Sequence, residues 1–248
     1  MKVISIANQK GGCGKTTTAV NLATYLALKG KRVLLLDLDP QGAATEGVGV
    51  DKWKLEKSIY DVMVDETPIQ EVVKPTAIPG LDIVPSNLDL SGAEMELAST
   101  MAREFILKEK LEPLDYDYVL IDSPPSLGLL TINSLTACDT LIIPLQCEYY
   151  ALAGMSMLLK VVERVAVKLG NKPQRWVLLT MYDARTSLSK QIADQVKDYF
   201  KGEVFRTVVP RNVKLAEAPS FGKPIQLYDP SSSGAIAYEQ LAEEVLNG

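Results

Sequence analysis

The chain has 248 residues, 47% of them hydrophobic, with 26 Lys+Arg against 31 Asp+Glu, three cysteines and no histidine. Without histidine, Ser-His-Asp triads, Cys-His pairs and imidazole zinc sites are excluded, and catalysis must rest on carboxylates, lysines, backbone donors and Mg²⁺. No apolar run approaches the roughly 20 residues of a membrane span, and the apolar start of the chain breaks at Asn8-Gln9-Lys10, too early for a signal-peptide core, so a soluble, cytoplasmic protein is expected.

An odd count of cysteines (Cys13, Cys138, Cys147) with no C-x-x-C pair suits a reducing compartment. Charge is unevenly spread: residues 1–150 carry 13 basic and 21 acidic side chains, whereas residues 158–223 carry 13 and 6. Such a basic stretch suits either one nucleic-acid-facing surface or ordinary solvated helix faces.

In chain order, Lys2–Ala7 reads as a buried strand and Thr18–Lys29 as a helix ending at Gly30. Lys31–Leu36 is the second strand. The stretch from Val48 to Ser91 is irregular, with short helices at Ile59–Val64 and Ile69–Val73 and a strand at Leu81–Val84. Glu94–Leu111 is expected to be helical with a break near Ser99. Tyr118–Asp122 is a central strand, followed by a helix over Leu129–Ala137, a strand over Thr140–Pro144 and a long helix over Ala151–Leu169. Arg175–Thr180 is a strand, Ser187–Phe200 an amphipathic helix and Val204–Val208 an edge strand. Pro210–Pro224 is loop with one helical turn, and Gly234–Leu246 closes the chain as a helix. Strands alternating with helices predict a single α/β domain over residues 1–248, with a doubly wound, mainly parallel sheet and helices on both faces. Ligands of such sheets bind beyond the carboxyl ends of the strands. Gly11–Thr17, Asp37–Gln41, Asp122–Ser126, Thr180–Arg185 and Pro210–Asn212 should therefore share one rim.

The chemistry centres on Lys10-Gly11-Gly12-Cys13-Gly14-Lys15-Thr16-Thr17, placed between the first strand and the first helix. Backbone N–H groups in such a glycine-rich turn point inward, and the helix N-terminus adds partial positive charge. Lys15 is expected to reach the β- and γ-phosphates of a nucleotide, and the Thr16 hydroxyl to hold Mg²⁺. Gly11, Gly12, Cys13, Gly14 and Thr17 complete the phosphate cradle. The strict P-loop pattern asks for glycine where Gln9 stands, and a second lysine, Lys10, follows it. Asp122 ends an apolar strand, as a Walker B aspartate does, and should hold the metal opposite Thr16. Asp37 and Asp39 flank Leu38; a carboxylate here suits orientation of the attacking water, while for Asp37 the role is satisfying backbone donors. Asn171-Lys172-Pro173-Gln174 lacks the aspartate of a guanine-reading loop, so ATP is the expected nucleotide.

These motifs, together with D-L-D-P-Q-G from Asp37, D-S-P-P-S-L-G-L-L-T-I-N from Asp122, Q-C-E-Y-Y-A-L from Gln146 and P-R-N-V-K-L-A-E-A-P-S-F-G-K-P-I from Pro210, resemble the ParA/Soj partition ATPases. Those are P-loop NTPases of the deviant Walker A type. The resemblance implies that Asp39 positions the attacking water and helps hold the metal, and that Lys10 reaches the phosphates of a partner subunit across an ATP-sandwich homodimer. It implies that Pro210 and Asn212 contact the adenine, and that Arg185 and Lys214 bind double-stranded DNA without sequence preference. A ParB-type centromere-binding protein is the implied stimulator of slow hydrolysis, with nucleoid association and chromosome or plasmid segregation as the outcome. Ala43 departs from the family's D-P-Q-G-N-A-T, and Lys214 stands where arginine is common. The acidic C-terminal segment, Tyr238–Gly248, lacks the basic amphipathic character of membrane-positioning relatives, so no membrane contact is expected. The alternatives are a DNA-independent module that positions a protein cluster, and a redox iron protein using Cys138 and Cys147.

Overall fold

The computed structural model describes residues 1–148 and 151–248. Its strands are β1 (Lys2–Ile6), β2 (Val33–Asp37), β3 (Lys74–Pro75), β4 (Leu81–Val84), β5 (Tyr118–Asp122), β6 (Thr140–Gln146), β7 (Gln174–Tyr182) and β8 (Val204–Pro210). Side chains alternate across them. Ile4, Leu35, Leu120, Ile142 and Leu178 enter one buried cluster, while Val3, Leu34, Leu36, Val119 and Ile121 enter a second and Leu141, Ile143, Val177 and Leu179 a third. A strand that is apolar on both faces needs cover on both faces, which is why these segments form a parallel sheet between helical layers. The observed order is β3-β4-β2-β5-β1-β6-β7-β8, parallel throughout except for the antiparallel β3–β4 pair at one edge.

The helices are α1 (Lys15–Leu28), α2 (Ala43–Gly47), α3 (Ile59–Met63), α4 (Ala93–Glu96), α5 (Ile106–Leu111), α6 (Leu129–Ala137), α7 (Ala151–Leu169), α8 (Ser187–Phe200), α9 (Val213–Glu217), α10 (Ile225–Tyr228) and α11 (Ser233–Asn247). Helices α1 and α11 cover one face through Leu22, Leu26, Tyr238 and Leu241. On the other face lie α3, α5 and α6 at one end and α7 and α8 at the other. The mainly parallel, doubly covered sheet expected from sequence is therefore present. Tyr149 and Tyr150 of the Q-C-E-Y-Y-A-L motif lie outside the described residues.

Some boundaries differ from expectation. Helix α1 begins at Lys15 rather than Thr18, because Gly14 takes a left-handed φ of 94° and starts the helix directly. Strand β7 runs on to Tyr182 and β8 to Pro210, and α2 and β3 are additional elements. The expected helix over Glu94–Leu111 is broken more deeply than a kink at Ser99. Between a 3₁₀ turn at Leu97–Ser99 and α5, Ala102 has φ 52°. The backbone there is satisfied by α6 instead: Asn133 Nδ2 donates to Arg103 O at 2.8 Å and Asn133 Oδ1 accepts from Leu107 N at 3.1 Å. Similarly, Ile69–Val73 is a 3₁₀ turn over Ile69–Glu71.

Candidate active site

All the parallel strands end on one rim, so the segments following β1, β2, β5, β7 and β8 converge there. The turn after β1 is fixed at both ends by buried side chains. Asn8 donates to Pro144 O at 2.7 Å and accepts from Lys10 N at 3.1 Å, while Thr180 Oγ1 donates to Cys13 O at 2.8 Å. Gly12 and Gly14 have φ of 69° and 94°, backbone that L side chains rarely adopt. No side chain caps α1 and no acidic residue occupies its first turn, so the helix end is left for an external anion. Lys15 is buried, and its ammonium donates to Lys10 O at 3.3 Å, above this turn.

Asp37 and Asp122 end adjacent strands in register, and both are fully buried. Asp37 Oδ2 accepts from Thr45 N at 2.8 Å and Thr45 Oγ1 at 2.7 Å, and its Oδ1 accepts from Asp39 N at 3.2 Å. This satisfies backbone donors, as expected, and Thr45 Oγ1 in turn accepts from Ser86 N at 2.9 Å. Burial pushes the Asp37 carboxyl up to about 6, against the pull of the Thr45 donors.

Asp122 differs: neither carboxylate oxygen has a hydrogen-bond partner among the described residues. Burial first, and then the charge of Asp37, push its carboxyl well above the ordinary range. The Thr16 hydroxyl and the Lys15 ammonium are near enough to favour the charged form, yet Thr16 does not reach hydrogen-bonding geometry. A buried carboxylate without a partner is costly unless a cation joins it. The donor set suits Mg²⁺, which takes one or two protein oxygens and keeps the rest of its shell for water and phosphate. No group of three or more His, Cys, Asp or Glu that could cage a metal occurs among the described residues. Asp39 is partly exposed beside this pair, with Oδ1 accepting from Gln41 N at 2.9 Å.

Lys10 pairs with a carboxylate outside the phosphate turn. Its half-exposed ammonium lies 3.5 Å from Glu148 Oε2, and Glu148 Oε1 accepts from Arg211 at 3.2 Å and Gln146 at 2.6 Å. Sequence reading assigned nothing to Glu148, because the pairing joins segments far apart in the chain. Beside Gly14 and Thr17 lies a cavity of about 310 Å³, whose walls include Met181, Pro210, Asn212, Val213 and Leu215. Pro210 and Asn212 thus meet the phosphate turn at one cleft. The Asn212 amide is already half used, accepting from Lys214 N and donating to Ser233 Oγ, both at 2.8 Å. One acceptor lone pair and one N–H remain for a base edge. Asn171 by contrast donates to Leu135 O and Cys138 O before β7, away from this rim.

Arg185 and Lys214 follow β7 and β8 on the same rim. Each is exposed and already paired: Arg185 holds Asp183 through Nε at 2.9 Å and NH2 at 2.7 Å, and Lys214 holds Glu217 at 2.9 Å. The Arg185 guanidinium holds the Asp183 carboxyl down at about 2. Cys138 and Cys147 are buried, and burial raises their thiols, to about 12 and about 11. Thiols so placed are poor ligands for a cluster shared between subunits.

Comparison with known proteins agrees with this geometry. A family model described as an AAA domain matches residues 1–174. The chain is 55% identical to the sporulation initiation inhibitor protein Soj of Bacillus subtilis over 98% of each chain. It is 48% identical to the chromosome partitioning protein ParA of Caulobacter vibrioides over all of this chain and 94% of that one. Among solved structures, cobyrinic acid a,c-diamide synthase from Mycobacterium smegmatis with bound ATP analog and magnesium superposes with a TM-score of 0.88 at 37% identity, covering 100% of this chain and 95% of that one. An eight-stranded sheet carrying this phosphate turn, with full-length identity to Soj and ParA, makes the chain a member of the ParA/Soj family of partition ATPases.

Proposed function

We propose that this Mg²⁺-dependent ATPase works as a DNA-binding switch for chromosome or plasmid segregation. ATP closes a homodimer, the dimer coats DNA without sequence preference, and slow hydrolysis, stimulated by a ParB-type partner, releases it. The observation that carries this is the unpartnered, buried Asp122 carboxylate set beside Thr16 and an uncapped helix end. That combination suits a phosphate-bound cation and little else.

In this reading residues 1–248 form one P-loop ATPase domain. The N–H groups of Gly11 to Thr17 and the Lys15 ammonium hold the phosphates, and Thr16, Asp122 and Asp39 hold Mg²⁺, which offsets phosphate charge when bound. Asp39 orients the attacking water, Lys10 reaches the partner's phosphates, and Pro210 and Asn212 flank the adenine. Arg185 and Lys214 contact DNA phosphates, which places the protein on the nucleoid in the cytoplasm. Among the described residues no helix is long and apolar enough to cross a membrane, and no membrane partner is assigned.

Sedimentation with Mg²⁺ and a slowly hydrolysed ATP analogue tests the switch. A dimer should appear with the analogue and not with ADP, alongside slow steady-state turnover. Fast turnover of the protein alone, without DNA or partner, would contradict a switch whose output is a long-lived ATP state.

A further inference from the structure

Lys52 lies in a 3₁₀ turn over Lys52–Lys54, beyond α2, yet its side chain reaches back over the turn that follows β2. The ammonium donates to Gln41 O at 2.6 Å and to Glu46 Oε2 at 3.0 Å, and the Trp53 ring centre lies 5.4 Å from it. The side chain is only 14% exposed. Gln41 in turn donates its N–H to Asp39 Oδ1 at 2.9 Å. One residue thus carries the Asp39 carboxylate on its N–H and the Lys52 ammonium on its carbonyl. The next residue, Gly42, has φ 63° and donates to Asp39 O at 2.9 Å. A Cβ at Gly42 would lie 2.9 Å from Lys52 Cδ and 2.9 Å from Ser86 O. The turn is therefore gripped between the Lys52 stem and the backbone after β4, closely enough that glycine is required.

We propose that Lys52 is a positioning residue for ATP hydrolysis, fixing Gln41 and through it the N–H that orients the Asp39 carboxylate. The inference rests on Asp39 orienting the attacking water, as given under Proposed function. A lysine loses rotamer freedom when it is covered, and an ordinary surface ion pair recovers little of that loss. Lys52 also aims its ammonium at a backbone carbonyl two residues from Asp39, a charge-assisted bond that is stronger than a neutral one. The turn is held from its buried side by Asp37, which accepts from Asp39 N, and by the Asp37–Thr45–Ser86 chain of hydrogen bonds. Lys52 closes it from the solvent side. Orientation of a nucleophile is sensitive to displacements on the order of 1 Å. Loosening this turn should therefore slow hydrolysis and leave the separate phosphate turn, and with it ATP affinity, unchanged.

The test is Lys52→Met, which keeps most of the stem over Gly42 and removes the donor. Calorimetric titration gives ATP affinity, and single-turnover hydrolysis with Mg²⁺ and protein in excess gives the rate. Affinity should stay within about twofold while hydrolysis slows by roughly fivefold to thirtyfold, the size expected when one charge-assisted hydrogen bond no longer fixes the turn. Glu46→Gln removes the ion pair and leaves the Gln41 contact, so it should hydrolyse ATP within about twofold of the unaltered protein. A Lys52→Met rate within twofold overturns the proposal, as does a loss of affinity equal to the loss of rate. A Glu46→Gln rate as low as that of Lys52→Met also overturns it, because the ion pair and not the carbonyl contact would then carry the effect. If Asp39→Ala hydrolyses ATP at the unaltered rate, the role of Asp39 fails and this inference with it. If Asp39→Ala stops hydrolysis and Lys52→Met does not slow it, the Lys52 role alone fails.

Discussion

Asp37 and Asp122 are register partners at the ends of neighbouring parallel strands, both fully buried, yet only Asp37 has hydrogen-bond donors on its carboxylate. The two should respond oppositely to mutation in metal-free protein. Asp37→Ala strands the Thr45 and Asp39 donors and should cost about 2–4 kcal/mol of unfolding free energy. Asp122→Asn removes a buried, unpartnered carboxyl beside a like charge and should raise stability by about 1–3 kcal/mol, while abolishing Mg²⁺-dependent hydrolysis. Denaturant unfolding in chelator checks both signs. Loss of stability on Asp122→Asn would show that its carboxylate is satisfied in some other way.

The same pair sets a pH dependence. Both folded carboxyls titrate above their unfolded values, Asp37 near 6 and Asp122 well above the ordinary carboxylate range through burial and the neighbouring Asp37 charge. Above the unfolded value of about 4 the folded state binds more protons than the unfolded one, so this pair's contribution to stability falls as pH rises. For Asp37 the fall is complete once pH passes about 6. In chelator, unaltered protein should lose stability from pH 4 upward relative to Asp122→Asn, and excess Mg²⁺ with nucleotide should reduce the difference.

Much of this was legible in the residues. Val119-Leu120-Ile121 before Asp122 and Val33-Leu34-Leu35-Leu36 before Asp37 are apolar on both faces, so strand type, burial and the rim followed from pattern alone. The phosphate turn was legible because its chemistry is local. What pattern could not reveal was set by distant partners. Asn133 and Thr136 on α6 take backbone groups of residues 103–107 that a helix would otherwise use. Met181 and Leu215 look like ordinary core residues until β7 and β8 bring them to the cleft. The carboxylates that pair with Lys10, Arg185 and Lys214 were likewise invisible as partners, since a charged residue alone does not declare what it meets.

Thr180 is a supporting residue of the phosphate turn. Its buried hydroxyl donates to Cys13 O, and Thr180→Val keeps the shape but leaves that carbonyl unsatisfied. A penalty of about 1–2 kcal/mol on the nucleotide-bound geometry corresponds to ATP binding weakened by roughly fivefold to thirtyfold. Calorimetric titration measures it; unchanged affinity would mean that Asn8 alone holds the turn.

All three cysteines are buried, and burial raises each thiol, that of Cys138 to about 12 and that of Cys147 to about 11. At pH 8 their thiolate fractions are then small, and native protein should react slowly with a thiol-specific disulfide reagent while unfolded protein reacts fast. A rapid native reaction at Cys138 or Cys147 would revive the iron-protein alternative.

Asp183 and Glu217 partly neutralise Arg185 and Lys214, the residues proposed to contact DNA. Arg185→Ala should leave dimerisation intact, weaken DNA binding and lower the salt slope by about 1. Asp183→Asn should do the reverse, because it frees the guanidinium. If both substitutions leave affinity unchanged, Arg185 is not in the DNA interface.

The most direct test of the switch is retention of random-sequence duplex DNA by Asp39→Ala protein, with ATP and with ADP, across a salt series. Because the proposed role of Asp39 is to orient the attacking water while Lys15 and the turn hold the phosphates, the variant should keep ATP and remain trapped as a dimer. Strong binding with ATP alone, falling steeply with salt, is the expected result. A dimer that ignores DNA with either nucleotide would contradict it and make the protein a positioner of protein cargo.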